Sequence, residues 1–243
     1  MVTGGTRGIG AATVRALLAA GADVTVTGRD AEAAVAAAEA AAATAEEAAA
    51  AASGTAGRAL GVAADVRDPA ALRDAVAATL ARFGRLDAVV ANAGIGRMAS
   101  VRDLSEEDWR AVIDTNLSGV FHTARAALDA LIASRGTLVT IGSLAGAHAF
   151  AGGAAYNASK FGLVGLSEAL MHDLRDLGVR VATVMPGSVA TGFSPRSAGA
   201  DDDWKLRPED VAEAVLYVLR NPSRALPSRI ELRPARRRPA RSP

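Results

Sequence analysis

Tyr156 and Lys160 stand four residues apart, and Ser143 lies thirteen residues before the tyrosine. The run YNASKFGLVGLSEAL has a helical pattern, which puts residues 156 and 160 on one face near the start of a helix. A free phenol has a pKa of about 10 and neither gives nor takes a proton readily at neutral pH. An ammonium beside it favours the phenolate and lowers that value, which makes a general acid/base poised closer to working pH. A lone Y-x-x-x-K pair is also what an ordinary surface tyrosine and a helix-face lysine look like, so the pair gains meaning only in company.

That company begins at the other end of the chain. Residues 3–10 are TGGTRGIG, followed by the apolar-periodic AATVRALLAAGA, a glycine-rich turn opening into a helix. Glycines let the backbone approach a pyrophosphate, and a helix N-terminus offers unpaired N–H groups and partial positive charge. The spacing of Gly4, Gly8 and Gly10 differs by one residue from the common G-x-G-x-x-G.

Six segments stand in order along nearly the whole chain: TGGTRGIG, ANAG at 91–94, Asn116 in DTNLSG, Ser143, YNASK, and PGSVAT at 186–191. Together they resemble the short-chain dehydrogenase/reductase family, NADP-preferring type. The resemblance implies a single α/β domain with a Rossmann-like, doubly wound parallel sheet. It implies Tyr156 as catalytic acid/base, with Lys160 lowering its pKa and hydrogen-bonding the nicotinamide ribose. Ser143 would hold the substrate oxygen, and Asn116 a water linking the lysine to solvent. Cofactor contacts carried over are Gly4, Thr6, Arg7, Gly8, Ile9 and Gly10 in the turn, and Asp65 and Val66 at the adenine. Asn92, Ala93 and Gly94 would line the cofactor, with Pro186, Gly187, Val189 and Thr191 on the nicotinamide side. The physics agrees: hydride transfer to a ketone builds negative charge on oxygen, which must be stabilised and protonated.

The same resemblance bears on cofactor choice. NAD-preferring relatives end the second strand with an acid that binds the adenosine ribose, and here that position is Gly28, followed by Arg29. Arg29 with Arg7 could grip a 2'-phosphate through charge-assisted hydrogen bonds, so NADP(H) is favoured over NAD(H). A one-residue shift of alignment would bring Asp30 to the ribose; the alternative role for Asp30 is a helix N-cap.

Composition bounds the rest. A chain of 243 residues suits one large domain, and a net charge of +1 gives no electrostatic case for nucleic acid. There is no cysteine, and His122, His148 and His172 are too scattered for a zinc site. No apolar run long enough to span a membrane and no secretory signal are seen, so no metal, no membrane and a cytoplasmic setting are expected.

The positioning elements follow from pattern. Strand candidates are ADVTVTG, ALGVAAD, RLDAVVANAG, GTLVTIGS, VRVATVMPG and SRIELRP, with helices between them. Asp68 and Pro69 open a helix that Gly84 stops, Ser105 caps another, and Gly178 follows the long helix carrying Tyr156. The alanine-rich stretch 31–52 is either an extended surface helix or a partly frayed insertion. The domain is expected to span 1–232, with 233–243 a solvated Arg/Pro-rich tail. Only Met1 and Val2 precede Thr3, so the first strand of the fold looks truncated, and a start placed too late is the reading adopted. Losing three or four buried side chains would cost roughly 1.5 to 3 kcal/mol each.

Substrate walls are expected at 144–153 and 192–206, including Phe193, the acids Asp201, Asp202 and Asp203, and Trp204; His148 either faces the substrate or is a loop residue without a role. The family's frequent V-D-G-G ending is replaced by SRIELRP, which leaves a homodimer through the long helices and puts a tetramer in doubt. The expected activity is NADP(H)-dependent interconversion of a small-molecule ketone and secondary alcohol. A 3-oxoacyl-carrier-protein reductase and a non-catalytic NADP(H) sensor or scaffold stand as alternatives.

Overall fold

All six runs picked out by pattern become strands, and a seventh precedes them, in a computed structural model that describes residues 1–51, 54–193 and 202–236. The strands are β1 (Val2–Thr3), β2 (Val24–Gly28), β3 (Ala59–Ala63), β4 (Ala88–Ala91), β5 (Thr137–Ile141), β6 (Arg180–Pro186) and β7 (Arg229–Leu232). They pair in parallel throughout, in the order β3-β2-β1-β4-β5-β6-β7. Parallel neighbours need a crossover, and α1 (Gly8–Ala19), α2 (Ala31–Ala51), α3 (Pro69–Phe83), α4 (Glu106–Ile113), α5 (Gly119–Ser134), α6 (Ala154–Leu174) and α7 (Pro208–Arg220) lie in the connections.

The inner strands β1, β2, β4, β5 and β6 are buried on both faces, whereas the edge strands β3 and β7 are half-buried or exposed. Alternate residues serve different cores: Val90, Val139, Ala182 and Val184 pack with α1, α2 and α7, while Val89, Leu138 and Val181 pack with α3, α5 and α6. The central strand is short, as its sequence implied, yet its place is kept. Val2 joins the first core and Met1 the second. The Met1 amine donates to the Ala88 carbonyl at 2.9 Å and the Val90 amide to the Met1 carbonyl at 2.9 Å, extending the ladder by one residue.

The alanine-rich stretch forms one helix over its described length. Ala34, Ala38, Ala41, Ala45 and Ala49 make a buried stripe, and a side chain on Gly61 of β3 would meet the backbone of Ala34 and Val35 at 2.5 Å. Alanine and glycine thus let α2 lie flush on the sheet edge. The expected caps are present: Asp68 accepts from the Ala70 amide at 2.8 Å, Ser105 from Asp108 at 3.0 Å, and Gly84 and Gly178 take left-handed conformations. Between α6 and Gly178 the chain tightens into a 3-10 turn, Arg175–Leu177. After β7, residues 233–236 continue along the cleft described below; the rest of the expected tail, 237–243, lies outside the described residues.

Candidate active site

Strand order reverses between β1 and β4, which is where a doubly wound sheet opens a crevice beyond its carboxyl ends. The glycine turn fills that position. Gly4 and Gly8 have φ of 62° and 56°, and a Cβ on Gly10 would lie 2.2 Å from the Gly4 carbonyl oxygen. Asn92, at the end of β4, donates through Nδ2 to the carbonyls of Thr3 and Gly4 at 2.9 and 3.0 Å. Thr3 Oγ1 accepts in return from the amides of Asn92 and Ala93 at 3.1 and 3.2 Å. Asn92 therefore shapes the turn rather than merely lining it. Arg7 precedes α1 with extended backbone and no side-chain cap, so the first-turn amides of that helix carry no side-chain acceptor and suit an anionic group.

At the far end of the crevice a Cβ on Gly28 would meet Thr6 Cγ2 at 2.7 Å, so Thr6 occupies the space an acidic side chain would need. Asp30 also lines the cleft, and its Oδ1 accepts from the Ala33 amide at 2.8 Å, capping α2. Arg7 and Arg29 both reach the cleft and are exposed. Asp65 is held by Arg67 through Nη2 at 2.6 Å and Nε at 3.1 Å, and by its amide at 2.9 Å. The Arg67 guanidinium, with Arg29 adding to it, keeps the Asp65 carboxyl below its ordinary pKa. Val66 is buried, and its carbonyl meets His122 Nδ1 at 3.2 Å, which gives that histidine a structural partner.

The candidate reacting groups come from two segments of the chain. Ser143 follows β5, and its Oγ accepts from the Ala145 amide at 3.1 Å. Helix α6 begins at Ala154, so its first two turns carry Tyr156 and Lys160 toward the serine. Lys160 is buried, donates from Nζ to the Ile141 carbonyl at 2.8 Å, and lies 5.8 Å from the Tyr156 ring centroid. Burial pushes its pKa down from 10.5 to about 8. Burial also pushes the Tyr156 phenol up, against a smaller lowering by its hydrogen bond with Ser143. The sequence expectation of a phenol lowered by its lysine is not what dominates in the protein by itself. One N–H of the ammonium goes to Ile141, and desolvation is the larger effect on each group.

Asn116 sits fully buried in a π-helical segment, Asp114–Ser118, between α4 and α5. Its Oδ1 accepts from the Ile95 amide at 2.8 Å, and its Nδ2 donates to the Ile95 carbonyl at 2.9 Å and Ser159 Oγ at 3.2 Å. The side chain thus ties the segment after β4 to α6.

One continuous cleft of about 2310 Å³ contains the glycine turn, Arg29, Asp65 and the Ser143–Tyr156–Lys160 group, far beyond the 300 to 1,000 Å³ or so of a single drug-sized site. Thr6, Ile9, Ala93, Gly94, Pro186, Gly187, Val189 and Thr191 line it as anticipated; Gly10 and Asn116 stand behind the wall. Phe193 and Phe150 flank the Tyr156 ring, with centroids at 5.9 and 6.4 Å. Trp204 and His148 also line the cleft, as does Lys205, which pairs with Asp202 at 2.5 Å; residues 194–201 of the anticipated wall lie outside the described residues. Sequence reasoning missed the contacts of Thr3 and Arg67, and the presence of Arg97 and Arg233 in the cleft lining. The two-residue step from Asp65 to Arg67 was a usable signal for one of them. Among the described residues no cluster of His, Cys, Asp or Glu could hold a metal, and no helix is long and apolar enough to cross a membrane.

Known proteins agree with this geometry. A family model described as short chain dehydrogenase matches residues 1–201. An uncharacterized oxidoreductase of Staphylococcus saprophyticus is 31% identical over 239 residues, covering 96% of each chain. A 3-oxoacyl-[acyl-carrier-protein] reductase of Escherichia coli is 36% identical over 195 residues, 80% of this chain and 74% of that one. The structure of an alcohol dehydrogenase from the archaeon Thermococcus sibiricus, complexed with 5-hydroxy-NADP, superposes with a TM-score of 0.87 at 29% identity, covering 98% and 97% of the two chains. With its crevice, its glycine turn and this kinship, the chain belongs to the short-chain dehydrogenase/reductase family, whose members are NAD(P)-dependent oxidoreductases of the CH–OH/C=O pair.

Proposed function

We propose that this protein interconverts a ketone and a secondary alcohol with NADP(H) in preference to NAD(H), and that Tyr156 is its acid/base. The observation that carries the reading is the meeting of Ser143, Tyr156 and Lys160 in the same cleft as the glycine turn. The residues present fit a dinucleotide: the Gly4, Gly8 and Gly10 backbone leaves room where side chains would intrude, and the start of α1 is open to a phosphate. The cofactor, when bound, supplies or accepts the hydride.

The chain's own groups do the rest. Ser143 and Tyr156 hydroxyls converge on the substrate oxygen, where charge develops. Tyr156 gives that oxygen a proton in reduction and takes one in oxidation. Lys160, held against Ile141 beneath the ring, restrains the rise in the phenol's pKa once its ammonium faces the site, and its remaining N–H donors are available to a ribose. The backbone of Asn116 would hold the water that returns protons to the lysine. A cofactor sensor without turnover has no use for this set, which favours an enzyme.

Support for NADP(H) comes from exclusion and charge. Thr6 closes the ribose position to an acid, Asp30 is engaged as a cap, and Arg7 and Arg29 face the cleft. Exposed Phe121 on α5 and Phe161 on α6 support a homodimer through those helices. Titration with NADPH and NADH, followed by ketone-dependent NADPH oxidation, tests the reading. Tyr156→Phe is expected to cut kcat by at least about a hundredfold while NADPH still binds; near-full activity in that variant would refute the assignment.

A further inference from the structure

The charged groups at the substrate end of the cleft are unevenly balanced. Arg97 pairs with Asp108 at 2.9 Å and Lys205 with Asp202, so those cations are matched. Glu231 is shared: Arg229 reaches it at 3.3 Å and Arg233 at 3.0 Å, one carboxylate between two guanidinium groups. Arg236 lines the cleft with no acid against it among the described residues. Residues 229–236 therefore carry three arginines against one glutamate, a net charge of +2, and two of those arginines, Arg233 and Arg236, line the cleft.

Packing fixes where the arm runs. The Gly187 amide donates to the Leu232 carbonyl at 2.8 Å, and Pro234 Cδ lies 3.1 Å from where a Gly187 Cβ would be. Leu144 Cδ1 is 3.1 Å from the same point, so the arm passes beside the residue that follows Ser143. Arg233 Nη2 is 3.3 Å from His148 Nε2. Arginine can only donate, so in this contact His148 Nε2 is the acceptor. Both contacts of Arg233 use Nη2; among the described residues Nε and Nη1 have no partner, and the side chain is 55% exposed. A guanidinium anchored by one corner presents the rest of its fork to an anion.

We infer that the substrate carries an anionic group, carboxylate or phosphate, away from its reacting carbon, and that Arg233 with Arg236 grips it at the mouth of the cleft. The inference rests on the proposed reductase activity only for where the carbonyl sits. The net positive field at that mouth also raises the local concentration of such substrates, an effect that salt weakens.

The test is binding of matched ketones to the NADP⁺ complex of the whole chain, read from Trp204 in a Trp109→Phe background. The probes are 4-acetylbenzoate, its methyl ester, and 4-acetylphenyl phosphate. At low salt the better of the two anions is expected to bind roughly ten- to a hundredfold more tightly than the ester. Which anion wins tells carboxylate from phosphate. Arg233→Gln with Arg236→Gln should erase the preference, and Arg233→Lys should keep part of it; damage to packing alone would weaken the ester equally. Equal binding of ester and anions, binding of none, or a preference that survives the double substitution overturns the inference. A separate NADPH titration keeps the two readings apart: its failure sinks the proposed activity, whereas firm NADPH binding without an anion preference sinks this inference alone.

Discussion

Lys160→Met is expected to make the protein more stable and to disable it. The native ammonium is buried, with a pKa near 8 against 10.5 for the same group exposed, a gap of about 2.5 units. At neutral pH that gap corresponds to about 3 kcal/mol of destabilisation, since one unit is about 1.4 kcal/mol. Methionine has a similar length and carries no charge, but it leaves the Ile141 carbonyl without the donor now at 2.8 Å, which costs about 1 kcal/mol. The net gain is about 2 kcal/mol, or roughly 4 to 8 °C in Tm for a chain of this size. The pH dependence separates this cause from others. The unfolded lysine holds its proton up to 10.5 and the folded one only up to about 8, so between these values the unfolded state binds more protons and the wild type gains stability as pH rises. Below pH 8 the penalty is fully present. The advantage of the variant should therefore be constant up to about pH 8 and shrink toward pH 10.5. Thermal melts of both proteins from pH 6 to 10, beside NADPH-dependent turnover, measure it. A variant that melts lower than the wild type, or a gap that ignores pH, refutes the reasoning.

Gly28→Asp alone should fail to bring NADH into use, because its Cβ would lie 2.7 Å from Thr6 Cγ2; paired with Thr6→Ser, which removes that methyl and keeps the hydroxyl, it should raise kcat/KM for NADH relative to NADPH. Substituting Arg7 and Arg29 by alanine is expected to weaken NADPH binding by roughly tenfold or more and to leave NADH almost unchanged, as paired fluorescence titrations would show. Asn116→Ala strands both the amide and the carbonyl of Ile95 and should cost about 2 to 3 kcal/mol in denaturant unfolding.

Strands and helix caps were legible because each is local. Alternating apolar runs became β2 to β7, and Asp68, Ser105 and Gly84 acted where their types suggest. The cap on Asp30 was legible too. Illegible were the partners that only folding brings together. Nothing near Thr3 announces that its hydroxyl meets the amides of residues 92 and 93. Nothing in an Arg/Pro-rich ending shows that Arg233 will reach His148, because composition describes solvation and says little of where β7 points the chain. The pairing of Tyr156 with Lys160 was plain from spacing, but not the direction of the ammonium, which depends on the carbonyl of Ile141 lying below the helix.

Two kinds of buried polar group stand out in this chain, and the difference bears on the site. Thr25 with Thr79, and Thr140 with Ser167 and Thr183, satisfy one another between the sheet and the α3, α5 and α6 layer. Thr3, Asn92, Asn116 and Lys160 instead bind backbone across the reversal point: the turn after β1, the segment after β4, and the end of β5. Such bonds cost more to lose than they contribute when made, because each leaves a buried main-chain group without a partner. They are what lets a strand as short as Val2–Thr3 place a glycine turn, since Asn92 and Thr3 hold that turn from the β4 side and the Gly5 amide bonds Thr27 on the β2 side at 3.0 Å. Ile95, fixed by Asn116, lines the cleft, and the same asparagine reaches Ser159, next to Lys160 on α6. The glycine turn and the Tyr156–Lys160 helix are thus tied together by two sets of side-chain hydrogen bonds joined through the short segment 92–95.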